Sequence, residues 1–272
     1  MVITGATSGM GLATARQAAR EGARLVLAAR NEQDLNRLAE ELRAQGGEAV
    51  PVVADVGDEK QVRRIALAAL QRFGGFDTWV NNACVTIPGR LQQVQRADQR
   101  RLFDTNFWGV VHGSMVAIEH LKGHGGVLIN LGSEVSEVPS PLQGTYAASK
   151  HAVKGFTDSL RIELEQEGAP VSVVLIRPAG METPYGAHAG KCTDPESTLP
   201  SLHYSPEPIA GTILHAARHP AREVFVGGAG WITAIRRATS AVRNPKTAVA
   251  VALGSGMLAA GLWRTWARRT SC

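Results

Sequence analysis

Regular alternation between strand patterns and helix patterns assigns this 272-residue chain to the α/β class. We predict a doubly wound parallel sheet of about seven strands with helices on both faces. Short apolar runs, such as residues 24–29 and 126–131, are typical of parallel strands that are buried on both sides. A hydrophobic content of 44% is sufficient for one full core without disordered regions.

The chain begins with a short apolar strand at residues 1–3, a glycine-rich turn at residues 4–11 and a helix at residues 12–20. Glycines permit positive φ angles and a close backbone approach, while the free N–H groups of a first helical turn attract a pyrophosphate. The turn therefore predicts a dinucleotide site that opens a Rossmann-like fold, although a plain strand-to-helix turn is the simpler alternative. The predicted contacts are Gly5, Thr7, Ser8, Gly9, Met10 and Gly11.

The second strand is followed by Arg30, at the position that meets the adenosine ribose in this topology. A carboxylate there would bind the 2′-hydroxyl of NAD, but this chain has Ala29 and then Arg30. Because a guanidinium pairs well with a 2′-phosphate, we predict NADP(H) as the cofactor. A solvated surface arginine is the alternative. Asn31 is predicted to cap the next helix.

Apolar runs and helical periodicity predict the elements that follow. Strands are predicted at residues 49–54, 76–80, 126–131, 171–176 and 223–226, and helices at residues 58–73, 97–121, 145–167 and 206–218. Asp55 follows the third strand and can cap the helix that starts near Asp58, a role that is compatible with a ligand contact. Asn106 lies within the long helix at residues 97–121.

Tyr146 and Lys150 lie four residues apart in the helix predicted at residues 145–167. Positions i and i+4 share one helical face, so the ammonium can lie near the phenol. A phenol normally keeps its proton until about pH 10, but a nearby cation lowers the pKa toward neutrality. Tyr146 would then exchange a proton with a carbonyl or alcohol oxygen. The pair alone is weak evidence, because any long helix can carry it on its surface.

Together these motifs resemble the short-chain dehydrogenase/reductase family, which has the motifs T-G-x-x-x-G-x-G and Y-x-x-x-K. The Asn81-Asn82-Ala83 segment matches the family's N-N-A, and Ser133 lies thirteen residues before Tyr146, as the family's catalytic serine does. Pro178 and Thr183 fit the family's P-G-x-x-x-T segment. The chain departs from the family at Cys84 and Ala179, where glycine is usual. The resemblance covers roughly residues 1–228.

The resemblance implies a catalytic set and the remaining cofactor contacts. The catalytic residues would be Asn106, Ser133, Tyr146 and Lys150. The cofactor would be bound further by Asp55, Val56, Asn82, Ala83, Tyr146, Lys150, Pro178 and Thr183. Ser133 and Tyr146 would hold the substrate oxygen, and Gln143, in the loop between them, would line the substrate pocket. Lys150 would lower the pKa of Tyr146, and Asn106 would hold a water molecule that extends the proton relay.

The resulting prediction is an NADP(H)-dependent oxidoreductase that interconverts a small carbonyl compound and an alcohol. Two other functions fit the same cofactor site. An epimerase or dehydratase would turn over without net consumption of NADPH, and a sensor or scaffold would bind NADP without turnover. Sensors tend to lose the catalytic set, whereas this chain keeps all four members. We therefore favour the oxidoreductase.

Charge and cysteine content exclude several other classes. Seven basic residues and no acidic residue follow Glu223, which leaves 22 basic against 24 acidic residues in the rest of the chain. The body is therefore mildly acidic, and no nucleic-acid partner is predicted. The three cysteines are widely spaced and show no metal-ligand spacing, so we predict no metal site and a reducing, cytoplasmic compartment. The first apolar run leads straight into the glycine turn, so no signal peptide is predicted.

Residues 1–228 are predicted to form the catalytic domain, with residues 184–204 as a substrate lid and residues 229–272 as a basic and apolar helical tail. Residues 247–263 are uncharged, and a helix of that length spans about 26 Å, slightly less than the ~30 Å hydrocarbon core. Membrane contact, either peripheral or as a tail anchor, is one prediction for this tail, and packing on a partner subunit is the alternative. We expect a homo-oligomer, either a dimer or a tetramer.

Overall fold

The structure, a computed structural model, describes residues 1–178 and 205–227. Its strands are β1 (Val2–Thr4), β2 (Arg24–Ala29), β3 (Glu48–Val53), β4 (Thr78–Asn81), β5 (Gly126–Leu131), β6 (Val171–Pro178) and β7 (Glu223–Val226). All seven pair in parallel in the order β3-β2-β1-β4-β5-β6-β7. The predicted doubly wound parallel sheet is confirmed.

Helices cover both faces of the sheet. They are α1 (Gly9–Arg20), α2 (Glu32–Ala44), α3 (Glu59–Phe73), α4 (Arg96–Phe103), α5 (Gly109–His124), α6 (Gly144–Gln166) and α7 (Glu207–Arg218). Buried residues of α1, α2 and α7 form one core with the sheet, and those of α3, α5 and α6 form the other. Each central strand is therefore buried on both sides, which explains why most of its residues are apolar.

The order of the strands reverses at β1, which pairs with β2 on one side and with β4 on the other. In open parallel sheets, ligands bind outside the carboxyl ends of the strands at such a reversal. The glycine-rich turn after β1 and the Asn81-Asn82-Ala83 segment at the end of β4 meet at this point. The fold thus places the glycine-rich turn and the Asn82-Ala83 segment at the expected edge.

The helix predicted at residues 97–121 is not α-helical throughout. It consists of α4, a π-helical turn at Asp104–Trp108 and α5. A π-helical turn accommodates one extra residue and changes which side chains share a face. Asn106 lies within this turn, fully buried. The periodicity of the sequence did not reveal it, because the apolar pattern resumes in α5.

The two helix caps were predicted with different success. Asn31 caps α2 as predicted, since its side chain accepts a hydrogen bond from the backbone N–H of Asp34. The cap of α3 is Asp58, which accepts from the N–H of Lys60, so the alternative of Asp55 as the cap is wrong. Asp55 instead accepts from the N–H of Gly57 and forms an ion pair with Arg101.

Several predictions fall outside the described residues. These are Thr183, the lid at residues 184–204 and the tail at residues 229–272. Among the helices that the structure does describe, none combines the length and the apolarity needed to cross a bilayer.

Candidate active site

The glycine-rich turn is held by close backbone contacts rather than by side-chain packing. Gly5 and Gly9 have φ angles of +65° and +50°, in the left-handed region that glycine adopts most easily. A Cβ atom on Gly11 would lie 2.2 Å from the carbonyl oxygen of Gly5 and 2.5 Å from Nδ2 of Asn82. Only glycine therefore fits at position 11 without a shift of the turn.

Asn82 and Thr4 fasten this turn to β4. The Nδ2 of Asn82 donates to the carbonyl oxygens of Thr4 (2.9 Å) and Gly5 (3.1 Å). The hydroxyl oxygen of Thr4 accepts from the N–H groups of Asn82 (3.0 Å) and Ala83 (3.1 Å). The Asn82 side chain is thus part of the frame that shapes the site, which refines its predicted role as a cofactor contact.

A cleft of about 750 Å³ opens beside the turn, a size that is typical of ligand sites. Its wall includes ten of the predicted cofactor residues: Gly5, Thr7, Ser8, Gly9, Met10, Arg30, Asp55, Val56, Asn82 and Ala83. Cys84, which replaces the family's glycine, also lines the cleft. These residues come from the ends of four neighbouring strands.

Unsatisfied polar atoms provide a test of whether this cleft fits a polar ligand. Within residues 1–178 and 205–227, the buried side-chain polar atoms that lack a hydrogen-bond partner are Asn82 Oδ1, Thr86 Oγ1 and Thr105 Oγ1. All three residues line the cleft. Buried polar groups in native proteins are normally paired, and clustered exceptions are typical of functional sites. Together with the volume of the cleft, these unpaired atoms fit a dinucleotide. Gly11 itself does not line the cleft and contributes through its close contact with Gly5 and Asn82.

The end of the cleft beside β2 and β3 is lined by two acidic side chains, Asp34 and Asp55, and by the basic side chain of Arg30. Asp34 accepts hydrogen bonds from Asn31 and Arg37, and Asp55 is paired with Arg101. Burial acts to raise the pKa of Asp55, but the bond from Arg101, the N–H of Gly57 and the charge of Arg30 hold it below its usual value. Both carboxylates are therefore engaged.

Arg30 differs from its neighbours at this end. It is exposed, lines the cleft and makes no ion pair with any residue of the described ranges. A guanidinium without a protein partner at a ligand site can pair with an anionic group of the ligand.

Asn106 joins the cleft to the predicted catalytic helix α6. Its Oδ1 accepts from the N–H of Val85 and its Nδ2 donates to the carbonyl oxygen of Val85, both at 2.8 Å. The same Nδ2 donates to Oγ of Ser149 (3.3 Å), which in turn donates to the carbonyl oxygen of Tyr146 (2.7 Å). The π-helical turn aims Asn106 at both partners, so it connects the loop after β4 with the first turns of α6.

Ser133 follows β5 and caps a one-turn 3₁₀ helix, Glu134–Ser136. Its Oγ accepts from the N–H of Val135 (3.3 Å), and its own N–H donates to Oγ of Ser136 (3.1 Å). Because the Ser133 oxygen already accepts a backbone N–H, its hydroxyl hydrogen remains available as a donor. Gln143, the residue before α6, accepts from the hydroxyl of Ser140 (3.1 Å).

Lys150 is buried, and its ammonium donates to the carbonyl oxygen of Leu131 (2.8 Å) at the end of β5. The Nζ atom also lies 5.8 Å from the centre of the Tyr146 ring. The predicted pair therefore shares one face of α6 and lies beside the strand that carries Ser133. Pro178, the last residue of β6, lies on the neighbouring strand.

A family model described as short chain dehydrogenase matches residues 1–192 of this sequence. The chain belongs to the short-chain dehydrogenase family. A relative within it, the uncharacterized oxidoreductase YxnA of Bacillus subtilis (strain 168), is 50% identical over 230 residues. The match covers 84% of this chain and 65% of YxnA, so this chain spans less than two thirds of that relative's length.

Two solved structures, one of a short chain dehydrogenase/reductase and one of an alcohol dehydrogenase, share the fold. A short chain dehydrogenase/reductase from Burkholderia phymatum in complex with NAD has a TM-score of 0.79 at 29% identity, over 90% of this chain and 95% of that chain. An alcohol dehydrogenase from the archaeon Thermococcus sibiricus, complexed with 5-hydroxy-NADP, has a TM-score of 0.73 at 28% identity, over 83% and 94% of the two chains. Both cofactor types thus occur among similar structures.

Sequence reasoning missed several partners of the predicted residues. The carbonyl oxygen of Leu131 and both backbone groups of Val85 leave no side-chain signal in a sequence. Arg177 donates from Nε to the carbonyl oxygen of Ser133 (3.2 Å), and it is buried at the end of β6. The sequence did offer one sign of this contact, because Arg177 directly follows the apolar run of β6 and a charged residue is rarely buried without partners.

Proposed function

We propose that this short-chain dehydrogenase is an NADP(H)-dependent oxidoreductase that interconverts a carbonyl compound and an alcohol, with Tyr146 as the general acid–base. The observation that carries the proposal is the buried ammonium of Lys150. It has three N–H donors, and its hydrogen bond to Leu131 uses only one of them within the described residues. The remaining donors are available to ribose hydroxyls, and the positive charge favours the phenolate form of Tyr146.

Each of the four predicted catalytic residues then has a separate task. The hydroxyl of Ser133 donates to the substrate oxygen and holds it beside the phenol of Tyr146. Tyr146 gives its proton to that oxygen during reduction and takes it back during oxidation. Lys150 stabilises the phenolate between the two events, and Asn106 keeps α6 at a fixed distance from the loop after β4. A bound nicotinamide supplies or accepts the hydride.

Tyr146→Phe tests the proposal most directly, because it removes one hydroxyl and leaves the helix intact. We expect turnover to fall by about 10³-fold, within the range of general acid–base catalysis, while the Kd of NADPH changes less than about 2-fold. Substrates would be found by following NADPH absorbance with a panel of ketones, aldehydes and secondary alcohols. A variant that keeps most of the activity would remove Tyr146 from the mechanism.

The same assay separates the oxidoreductase from the two other functions. Stoichiometric consumption of NADPH with formation of an alcohol supports reduction. Product formation without net NADPH consumption would indicate an epimerase or dehydratase instead. Tight NADPH binding with no turnover on the whole panel would favour a sensor or scaffold.

The preference for NADP(H) depends on Arg30. A charge-assisted pair with the 2′-phosphate is worth about 1.5–3 kcal/mol, so Arg30→Ala should raise the Kd of NADPH by roughly 10- to 100-fold. The Kd of NADH, which lacks this phosphate, should change less than about 3-fold. The matched control is Arg37→Ala on α2, where the exposed guanidinium pairs with Asp34. If Arg30→Ala weakens the binding of NADPH and NADH equally, the proposed preference for NADP(H) is refuted.

A further inference from the structure

Arg177 is one of the few charged side chains that are buried in the described residues, and three separate segments contact it. Its Nη1 lies 2.9 Å from carboxylate oxygens of both Glu137 and Glu223, and its Nε donates to the carbonyl oxygen of Ser133. Its guanidinium carbon lies 4.4 Å from the ring centre of Phe225. The arginine thus joins the Ser133 turn and the following loop to the edge strand β7.

The ion pairs of Arg177 are weak evidence for a purely stabilising role. Removing a guanidinium from water costs several kcal/mol, and an apolar side chain of similar size often packs as well. The position of the Nε atom, directed at the carbonyl of Ser133, suggests a more specific task. We propose that Arg177 is a positioning residue for Ser133, which fixes the backbone from which the Ser133 hydroxyl reaches the substrate. This inference rests on the proposed role of Ser133 as a donor to the substrate oxygen.

The backbone of Ser133 is held from two sides. On one side, its N–H donates to the hydroxyl of Ser136, and its carbonyl accepts from the N–H of Ser136 (3.0 Å). These bonds lie within one short turn, and the N–H of the preceding residue, Gly132, donates to the carbonyl oxygen of Ile176 in β6 (2.8 Å). On the other side, Arg177 alone among the described residues links the Ser133 carbonyl to the sheet. A Cβ atom on Gly132 would lie 3.2 Å from Cγ of Arg177, so the stem of the arginine also packs on the preceding residue.

Glu137 extends this control along the loop that leads to α6. Its carboxylate is half exposed and reaches both Arg177 and, at 3.8 Å, Lys154 of α6. Glu223 approaches the same Nη1 from β7, so the arginine has a fixed anchor on the sheet. A shift of the guanidinium would therefore move the Ser133 carbonyl and the loop together. Displacement of a reacting group by about 1 Å can cost roughly 100-fold in rate.

Arg161 provides a matched control for Arg177. It is equally buried, donates from Nε to the carbonyl oxygen of Val173 (2.8 Å) and forms an ion pair with Asp158 (2.6 Å). Its third partner is the carbonyl oxygen of Arg222. Arg161 therefore has the same kinds of bonds, but they hold the middle of β6 and the start of β7 rather than the Ser133 turn.

The test compares Arg177→Lys with Arg161→Lys, since lysine keeps the charge but cannot reproduce the planar fork. With the best carbonyl substrate of the panel, Arg177→Lys should lower kcat by roughly 10- to 100-fold, while the Kd of NADPH stays within about 2-fold. Arg161→Lys should lower the Tm by about as much as Arg177→Lys does, but it should leave kcat within about 3-fold of the wild-type value. Equal kcat values for the two variants would overturn the proposal.

A double-mutant cycle with Ser133→Ala shows whether Arg177 acts through Ser133. In the Ser133→Ala background, Arg177→Lys should cause little further loss, because the group that it positions is already absent. If Arg177→Lys lowers kcat as much in the Ser133→Ala background as in the wild type, the proposal is overturned. If Ser133→Ala alone retains wild-type turnover, the proposed role of Ser133 fails, which is a distinct outcome.

Two measurements keep the test informative if Arg177→Lys folds poorly. Glu137→Gln leaves the buried arginine in place and removes one of its carboxylate partners. It should therefore lower kcat while the Tm changes little. Amide hydrogen exchange needs no substrate, and it should accelerate at residues 132–137 in Arg177→Lys but not in Arg161→Lys. Unchanged exchange at these residues would contradict the proposal.

Discussion

The predicted cofactor end (the glycine-rich turn at residues 4–11 with Asn82) and the predicted catalytic corner (Asn106, Ser133, Tyr146 and Lys150) of this short-chain dehydrogenase are built on different principles. At the cofactor end, Gly5 and Gly11 bring backbone segments so close that a single added carbon atom has no room. At the catalytic corner, Asn106 and Lys150 connect neighbouring elements through hydrogen bonds to backbone carbonyls. The first region requires positions without side-chain atoms as well as the hydrogen bonds of Asn82, whereas the second depends on hydrogen-bond donors alone. Added atoms should therefore harm mainly the first region, and deleted donors should harm the second.

The largest expected effect comes from adding one carbon atom at the cofactor end. Gly11→Ala places a Cβ against the carbonyl oxygen of Gly5 and the side chain of Asn82, which must move apart. Overpacking of this kind costs about 1–3 kcal/mol, and the displaced turn should also weaken NADPH binding by 10-fold or more. Thermal unfolding and isothermal titration with NADPH would measure the two effects.

Gly155→Ala is the matched control for this experiment. Gly155 lies on the exposed face of α6, and apart from its chain neighbours and the nearby backbone of α6, no atom lies within 4 Å of the place that an added Cβ would take. Alanine there should stabilise the helix by up to about 1 kcal/mol and leave NADPH binding unchanged. A wild-type Tm and Kd in Gly11→Ala would show that the turn is not closed by backbone contact.

A deleted donor at the catalytic corner should have the next largest effect. Asn106→Ala leaves the N–H and carbonyl groups of Val85 without their partner, at a cost of about 1–3 kcal/mol for each buried group. We expect a lower Tm and a loss of kcat of about 10-fold, with a smaller change in the Kd of NADPH.

Asn130→Ala is the comparison for the loss of Asn106. Asn130 is equally buried and hydrogen-bonded to Asn81 and Thr157, but it contacts neither the cleft nor the first turns of α6. It should reduce the Tm to a similar extent and spare kcat. If both variants lose kcat in proportion to their Tm, Asn106 contributes only to stability.

The smallest effect concerns the pH dependence of stability. The pKa of Asp55 at the cofactor end and that of Asp158 on α6 both lie below the usual value, because their bonds to Arg101, and to Lys154 and Arg161, outweigh burial. A carboxyl with a lowered folded pKa stabilises the protein above its unfolded pKa, about 3.9, and this contribution is lost as the pH falls through the folded value.

Asp55→Asn and Asp158→Asn should therefore each flatten the decline of Tm below about pH 4, relative to the wild type. Only Asp55→Asn should also change the Kd of NADPH, because only Asp55 lines the cleft. Melting curves between pH 6 and pH 3 would measure the slope. Curves parallel to the wild type would contradict the assigned pKa directions.

Much of the cofactor end was predictable from the sequence. Its shape follows from the spacing of Gly5, Gly9 and Gly11 after an apolar strand, and the end of β2 marks the position of Arg30. These features are local, and each depends on the residue types themselves. The frame role of Asn82 was not predicted, because its partners are backbone oxygens of β1, far away in the sequence.

The catalytic corner was predictable only in part. Its residue types came from a resemblance, and the spacing of Tyr146 and Lys150 correctly placed both on one face of α6. The π-helical turn around Asn106 and the contact of Arg177 with Ser133 were missed. The first is one extra residue within an otherwise regular pattern, and the second joins residues that lie 44 positions apart. Neither arrangement changes the hydrophobic periodicity from which helices and strands are predicted.

The π-helical turn also constrains the length of this part of the chain. The turn already takes up one extra residue, and an α-helix rotates by about 100° with each residue, so a further insertion within residues 104–108 would change the phase of all of α5. Gly113 would then no longer face Asn81, where any larger residue would collide with the amide oxygen. A single-residue insertion should therefore be far less tolerated here than in the exposed turn at residues 90–93, whereas a single-residue deletion can be absorbed by a return to regular α-helix.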